Sequence, residues 1–90
     1  MKNIIEILGT FRLKSKNLFV INAILISGDV IRGMRTIHFD NGLDFEIYSI
    51  ESIISHGKSS LGITFLYKDA QQLQELEMLV ANRKILEFSW

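Results

Sequence analysis

Cysteine and proline are both absent from this 90-residue chain. Without cysteine there is no disulfide, no thiolate metal site and no cysteine nucleophile. Without proline, the chain must turn on Gly, Asn and Asp. Net charge is also lacking, because ten basic and ten acidic residues cancel. That balance removes bulk attraction to nucleic acid or anionic membrane as an argument and leaves only a local patch to consider. Long apolar runs are missing too. The longest, Leu18 to Ile26, is broken by Asn22 and is about half the ~20 residues a membrane-spanning helix requires. Glu6 stands inside what would have to be the apolar part of a signal peptide, so no export signal is read, and the expected location is cytoplasmic with no membrane partner.

What is present suits one small globular domain over residues 1–90, since a hydrophobic share of 48% is ample for a core. Turn signals occur at Lys16-Asn17, Ser27-Gly28-Asp29, Asp40-Asn41-Gly42 and His56-Gly57-Lys58-Ser59-Ser60. Between them lie segments rich in Ile, Val, Phe and Tyr, which fit a pleated, half-buried surface. The spacing predicts strands over 4–14, 18–26, 30–39, 43–55 and 61–67, with a last short strand at 84–88. In the first, Phe11 and Leu13 alternate with Thr10, Arg12 and Lys14, the period of a strand with one wet face, with Phe11 turned inward alongside Phe19 and Phe39. Gly33 predicts a bend or bulge, and a shift of apolar phase from Phe45 and Ile47 to Ile50 and Ile54 predicts another near Tyr48 to Ile50. Asn41-Gly42 is the strongest hairpin signal, because tight primed turns require positive φ. Two bends in so small a strand set favour a closed or partly open six-stranded barrel over a flat sheet.

From Asp69 the period changes. Leu73, Leu76, Leu79 and Val80 recur at spacings of three and four, which predicts one amphipathic helix over 69–82 before the last strand. Asp69 with Gln72 has the spacing of a capping box, and Asn82 can take a left-handed cap. The expected fold class is therefore mainly β with one C-terminal helix.

No constellation points to catalysis, a metal or a cofactor. His38 and His56 lack partner ligands at metal-binding spacing. The serines lack a nucleophile elbow, and no phosphate-binding glycine loop occurs; His56–Ser60 lacks the upstream glycine and precedes a strand. Asp40, Asp44, Glu46 and Glu51 read as a solvated edge. One basic constellation remains. Arg12, Lys14 and Lys16 are alternate residues of the first strand, and Arg32 and Arg35 would join them if a barrel closed. Such a stripe can follow a phosphate backbone, with Tyr48, Tyr67 and Trp90 as the available stacking groups.

The segment Ile-Ser-Gly-Asp-Val-Ile-Arg-Gly-Met-Arg-Thr-Ile at 26–37 resembles the SGxIxxG segment of domain II in translational GTPases, the elongation factor Tu-like β-barrel. Ser27, Gly28, Val30 and Gly33 occupy the matching positions. Tyr48 to Ile53 looks like that family's later strand with its Ile-Glu pair, and Leu61-Gly62-Ile63 is similar to its Val-Gly-Leu strand. The chain departs from the family in carrying Ser59-Ser60 where Gly-Asp is usual and a helix where an Arg-Gly turn precedes the final strand. The resemblance implies a barrel and, with no GTPase domain in these residues, a binding role. In the parent factors this domain contacts the ribosome or transfer RNA, but fold does not carry function with it. The sequence thus predicts a non-catalytic binding module that takes a protein partner or associates with itself, with RNA as the alternative and no small-molecule ligand.

Overall fold

The computed structural model describes residues 2–37, 45–55, 57–81 and 83–90. They form a six-stranded antiparallel sheet with one helix before the last strand. The strands are β1 (Asn3–Leu13), β2 (Leu18–Ser27), β3 (Arg35–Thr36), β4 (Ser49–Ser55), β5 (Lys58–Leu66) and β6 (Ile85–Ser89), and the helix α1 is Ala70–Val80. Their order across the sheet is β3-β6-β1-β2-β5-β4. The sheet is not closed into a barrel. Between its two ends there is, among the described residues, a single bridge, Arg35 with Glu46, flanked by backbone hydrogen bonds from Thr36 N to Phe45 O (3.0 Å) and from Ile47 N to Met34 O (2.8 Å). Among the described residues of the expected 30–39 strand, only Arg35 and Thr36 are in a strand, with the Gly33 turn ahead of them.

The reason lies in two glycines. Gly28 and Gly33 both adopt positive φ, 68° and 94°, a region that costs other residues a steric penalty. Gly28 is wedged against the first strand: Ser27 Oγ donates to Lys2 O (2.8 Å) and Asp29 N donates to Asn3 Oδ1 (3.0 Å). At Gly33 the chain reverses, with Met34 N donating to Ile31 O (3.2 Å), the pattern of a turn that needs glycine at its third position. Val30 and Met34 are buried on either side of that turn. Of the expected fold-defining turn residues, Ser27, Gly28 and Gly33 lie at these two turns, while Asn41 and Gly42 lie outside the described residues.

The core joins Ile5 of β1, Phe19, Ile21 and Ala23 of β2, Ile63 and Phe65 of β5, Leu86 and Phe88 of β6, Ile47, Tyr67, and Leu76 and Leu79 of α1. Leu61, Ile63, Phe65 and Tyr67 all face this layer, as their alternation predicts. Tyr67 is therefore buried rather than available for stacking. The helix begins at a true N-cap, since Asp69 Oδ1 accepts from Gln72 N (2.9 Å) and Gln72 Oε1 accepts from Lys68 N (2.7 Å). Its C-cap, Ala81, is extended, and Asn82 lies outside the described residues. Asp69→Ala should lower the unfolding free energy by about 1 kcal/mol in urea titration. A change of only a tenth or two would show that the cap contributes nothing.

The largest departure from expectation is in β1. Its pairing with β2 slips at two places, between Ile4 and Ile5 and between Ile7 and Gly9. At the second slip Leu8 has no partner, so β1 carries one residue more than β2 and forms a bulge. A one-residue insertion exchanges the two faces of everything beyond it. Before the bulge Ile7 pairs with Ala23; after it Thr10 pairs with Ile21 and Arg12 with Phe19. Ile5 and Ile7 therefore face the core, but Phe11 and Leu13 do not. Phe11, expected inward, is 47% exposed on the opposite face. Among the described residues no helix is long and apolar enough to cross a membrane.

Candidate functional site

The face that the bulge gives to Phe11 and Leu13 is where the candidate site forms. Cross-strand partners lie side by side on one face of a sheet, so the register defines three rows there. Leu13, Leu18 and Leu66 make one row; Phe11, Val20, Thr64 and Ser49 make the second; Gly9, Asn22, Gly62 and Glu51 make the third. Together with Tyr48, Ile53 and Lys16, residues of these rows line a groove of about 460 Å³. Val20, Gly62 and Thr64 are buried in it although the helix lies on the other side of the sheet. Phe11, Leu13, Leu66 and Tyr48 remain exposed around it.

Local features explain how the groove stays open yet ordered. Tyr48 N and the pairing of Ser49 both address Thr64, with Tyr48 N donating to Thr64 O at 2.8 Å. Two successive residues opposite one partner mark a bulge, which meets the bend expected near Tyr48 to Ile50. It swings Tyr48 outward while Ile47 stays in the core. Beneath, the hydroxyls of Ser49 and Thr64 are 2.6 Å apart and Thr64 Oγ1 also donates to Ser49 O (3.2 Å), so the polar groups of the floor have partners. Ile53 lies over Gly62, where a Cβ would come within 2.9 Å of the end of the Ile53 side chain. Ser60 Oγ donates to Asn22 Oδ1 (2.7 Å) beside it. The charged residues lining the groove are Lys16 and Glu51, one of each sign.

The structure does not bring the basic constellation together. Arg12 lies on the helix side of the sheet, where its guanidinium is 3.7 Å from Glu77. Lys14 and Lys16 belong to a 3₁₀ turn, which ends at Asn17 with φ 52°, so they do not continue a strand stripe. Arg32 is exposed in the Ile31–Met34 turn, and Arg35 is 3.5 Å from Glu46. Arg12 is also six residues along β1 from Glu6, the last β1 residue paired with β6, beyond which β3 carries Arg35. At the rise of a strand that is about 20 Å. Both ion pairs are exposed and are worth little to stability.

His38, Asp40, Asp44 and His56 lie outside the described residues; among those described, no cluster of three or more His, Asp or Glu could hold a metal. Trp90 is exposed but its ring lies over Gly33, 3.3 Å from where a Cβ would stand. Leu18 and Leu66 line the groove and are not among the site residues that the sequence predicts. The nearly unbroken apolar run of β2 was the available signal, because a strand apolar on both faces must have both faces covered. Comparison of the chain with protein-family models, with curated proteins and with solved structures found no match.

Proposed function

We propose that this chain is a non-catalytic protein-interaction module whose binding surface is the apolar groove on the face of the sheet opposite the helix. The observation that carries the reading is the placement of Phe11, Leu13, Tyr48 and Leu66, four large apolar side chains left exposed around one groove with a buried floor. Exposed apolar surface gathered in one place marks an interaction site more often than scattered residues do. Aromatic anchors in such a patch supply most of the binding energy of protein interfaces, and here Phe11 and Tyr48 have that role. The groove's sparse, mixed charge suits a polypeptide better than a polyanion. RNA contact through Arg12, Lys14, Lys16, Arg32 and Arg35 has less support, because two of the five have acidic partners and the set does not share a face. A relation to the translation-factor domain II barrel, in partly open form, is supported by the positive φ of Gly28 and Gly33 and by the Arg35–Glu46 bridge.

A photo-reactive benzophenone residue placed at Phe11 or Leu66 in living cells should form covalent adducts with a polypeptide. The same residue at Met78, exposed on the helix, should not. Combining Phe11→Ser with Leu66→Ser should weaken the captured complex by at least ~10-fold, as truncation of anchors does. Adducts that ribonuclease removes, or none at either position, would overturn the reading.

A further inference from the structure

β4 ends the sheet, and among the described residues no strand pairs along its second edge. A free edge presents a row of unpaired N–H and C=O groups, and folded proteins usually blunt it with lysine, proline or very short length. β4 uses none of these: it has seven residues, neither proline nor a basic residue, and one charge, Glu51. It also carries Ile54, which at 77% exposure is the most exposed large apolar residue described.

The sequence of β4, Ser-Ile-Glu-Ser-Ile-Ile-Ser, reads nearly the same in both directions. Antiparallel pairing of two copies about a two-fold axis at Ser52 sets Ser49 opposite Ser55, Ile50 opposite Ile54 and Glu51 opposite Ile53. No other register pairs the whole strand with itself. An axis at Glu51 would set two carboxylates directly opposite each other, which is destabilising. An axis at Ile53 would leave Ile50 outside the strand-to-strand pairing. With the axis at Ser52, Ile54 comes to lie beside the other copy's Ile50, a residue already packed on the core. The side chain that one copy leaves most exposed is then covered by its counterpart.

We propose that the chain forms a two-fold homodimer by pairing β4 with β4 of a second copy, running the two sheets together with both grooves on one face. This contact uses the sheet edge rather than the groove and goes beyond the groove reading. The full chain should sediment at 10.3 kDa when dilute and approach twice that mass as concentration rises. Ile54→Lys, at a position that contributes little to the fold, should keep the lower mass throughout with an unchanged circular dichroism spectrum. Because the chain has no cysteine, Ser52→Cys supplies one thiol per copy at the axis. Directly opposed residues have Cβ atoms roughly 4.5–5.5 Å apart, close enough for mild oxidation to link them, whereas Gln74→Cys on the helix should stay unlinked. A mass fixed at 10.3 kDa at every concentration overturns the dimer. So does a dimer that persists in Ile54→Lys while the Ser52→Cys variant yields no disulfide-linked product. Either result leaves the groove adducts at Phe11 and Leu66 as a separate observation, so the two readings fail independently.

Discussion

Phe65→Ala is expected to lower the unfolding free energy by about 4 kcal/mol, the usual cost of emptying a buried aromatic site. Phe65 is 1% exposed and lies against Phe88, with ring centroids 6.4 Å apart and planes 12° from parallel. It sits on β5 and Phe88 on β6, strands that are not neighbours in the sheet. The contact therefore ties the two halves of a curved sheet together across the core. A domain of this length has roughly 5–13 kcal/mol of stability in all, so the loss should shift the urea midpoint by a large fraction of its value. The adjacent Leu66, 53% exposed on the groove face, should cost less than ~1 kcal/mol when changed to alanine. Equal losses for the two would show that the assignment of faces is wrong.

Deleting Leu8 should be more damaging still, although Leu8 itself is 49% exposed. The deletion removes the extra residue that exchanges the faces of β1. In the direct register that remains, Phe11 and Leu13 would turn toward the layer beneath the helix and Arg12 would turn away from Glu77. Two large side chains would then enter a filled core, and overpacking alone costs roughly 1–3 kcal/mol for each misfit. The expected result is loss of cooperative thermal unfolding. Leu8→Ala keeps the residue count and should cost under ~1 kcal/mol, as exposed positions do. A deletion variant that melts cooperatively within a few degrees of the parent would show that the bulge does not determine which face Phe11 occupies.

Much of the fold was legible before the tertiary structure. The helix face of Leu73, Leu76, Leu79 and Val80, the cap at Asp69, the turn at Lys16-Asn17 and the alternation of β5 all follow from residue type and spacing over a few residues. Such features depend on local backbone sterics and on one buried face, and both are written in neighbouring positions. The glycine turns belong here too, since Gly28 and Gly33 take φ values that other residues avoid.

The groove was not legible in the same way. The alternation of Phe11 and Leu13 with Thr10 and Arg12 is equally compatible with either face, and Gly9, a bulge signal of the kind read at Gly33, does not say which strand carries the extra residue. The choice is made by the partner strand: Ile5 and Ile7 must meet the core at one end, while Phe19 and Ile21 opposite Arg12 and Thr10 define it at the other. The closed barrel failed for a similar reason, since a strand from 30 to 39 was plausible locally, but the turn at Gly33 interrupts it and, among the described residues, only Arg35–Thr36 form a strand there.

By itself, then, the sequence determined the elements, their turns and the absence of cysteine chemistry, because these depend on residue type and short-range geometry. Only the tertiary structure decided which face each strand presents, where the sheet ends and which apolar residues stay in water. Those outcomes depend on register between strands distant in the chain, and a single inserted residue is enough to reverse them.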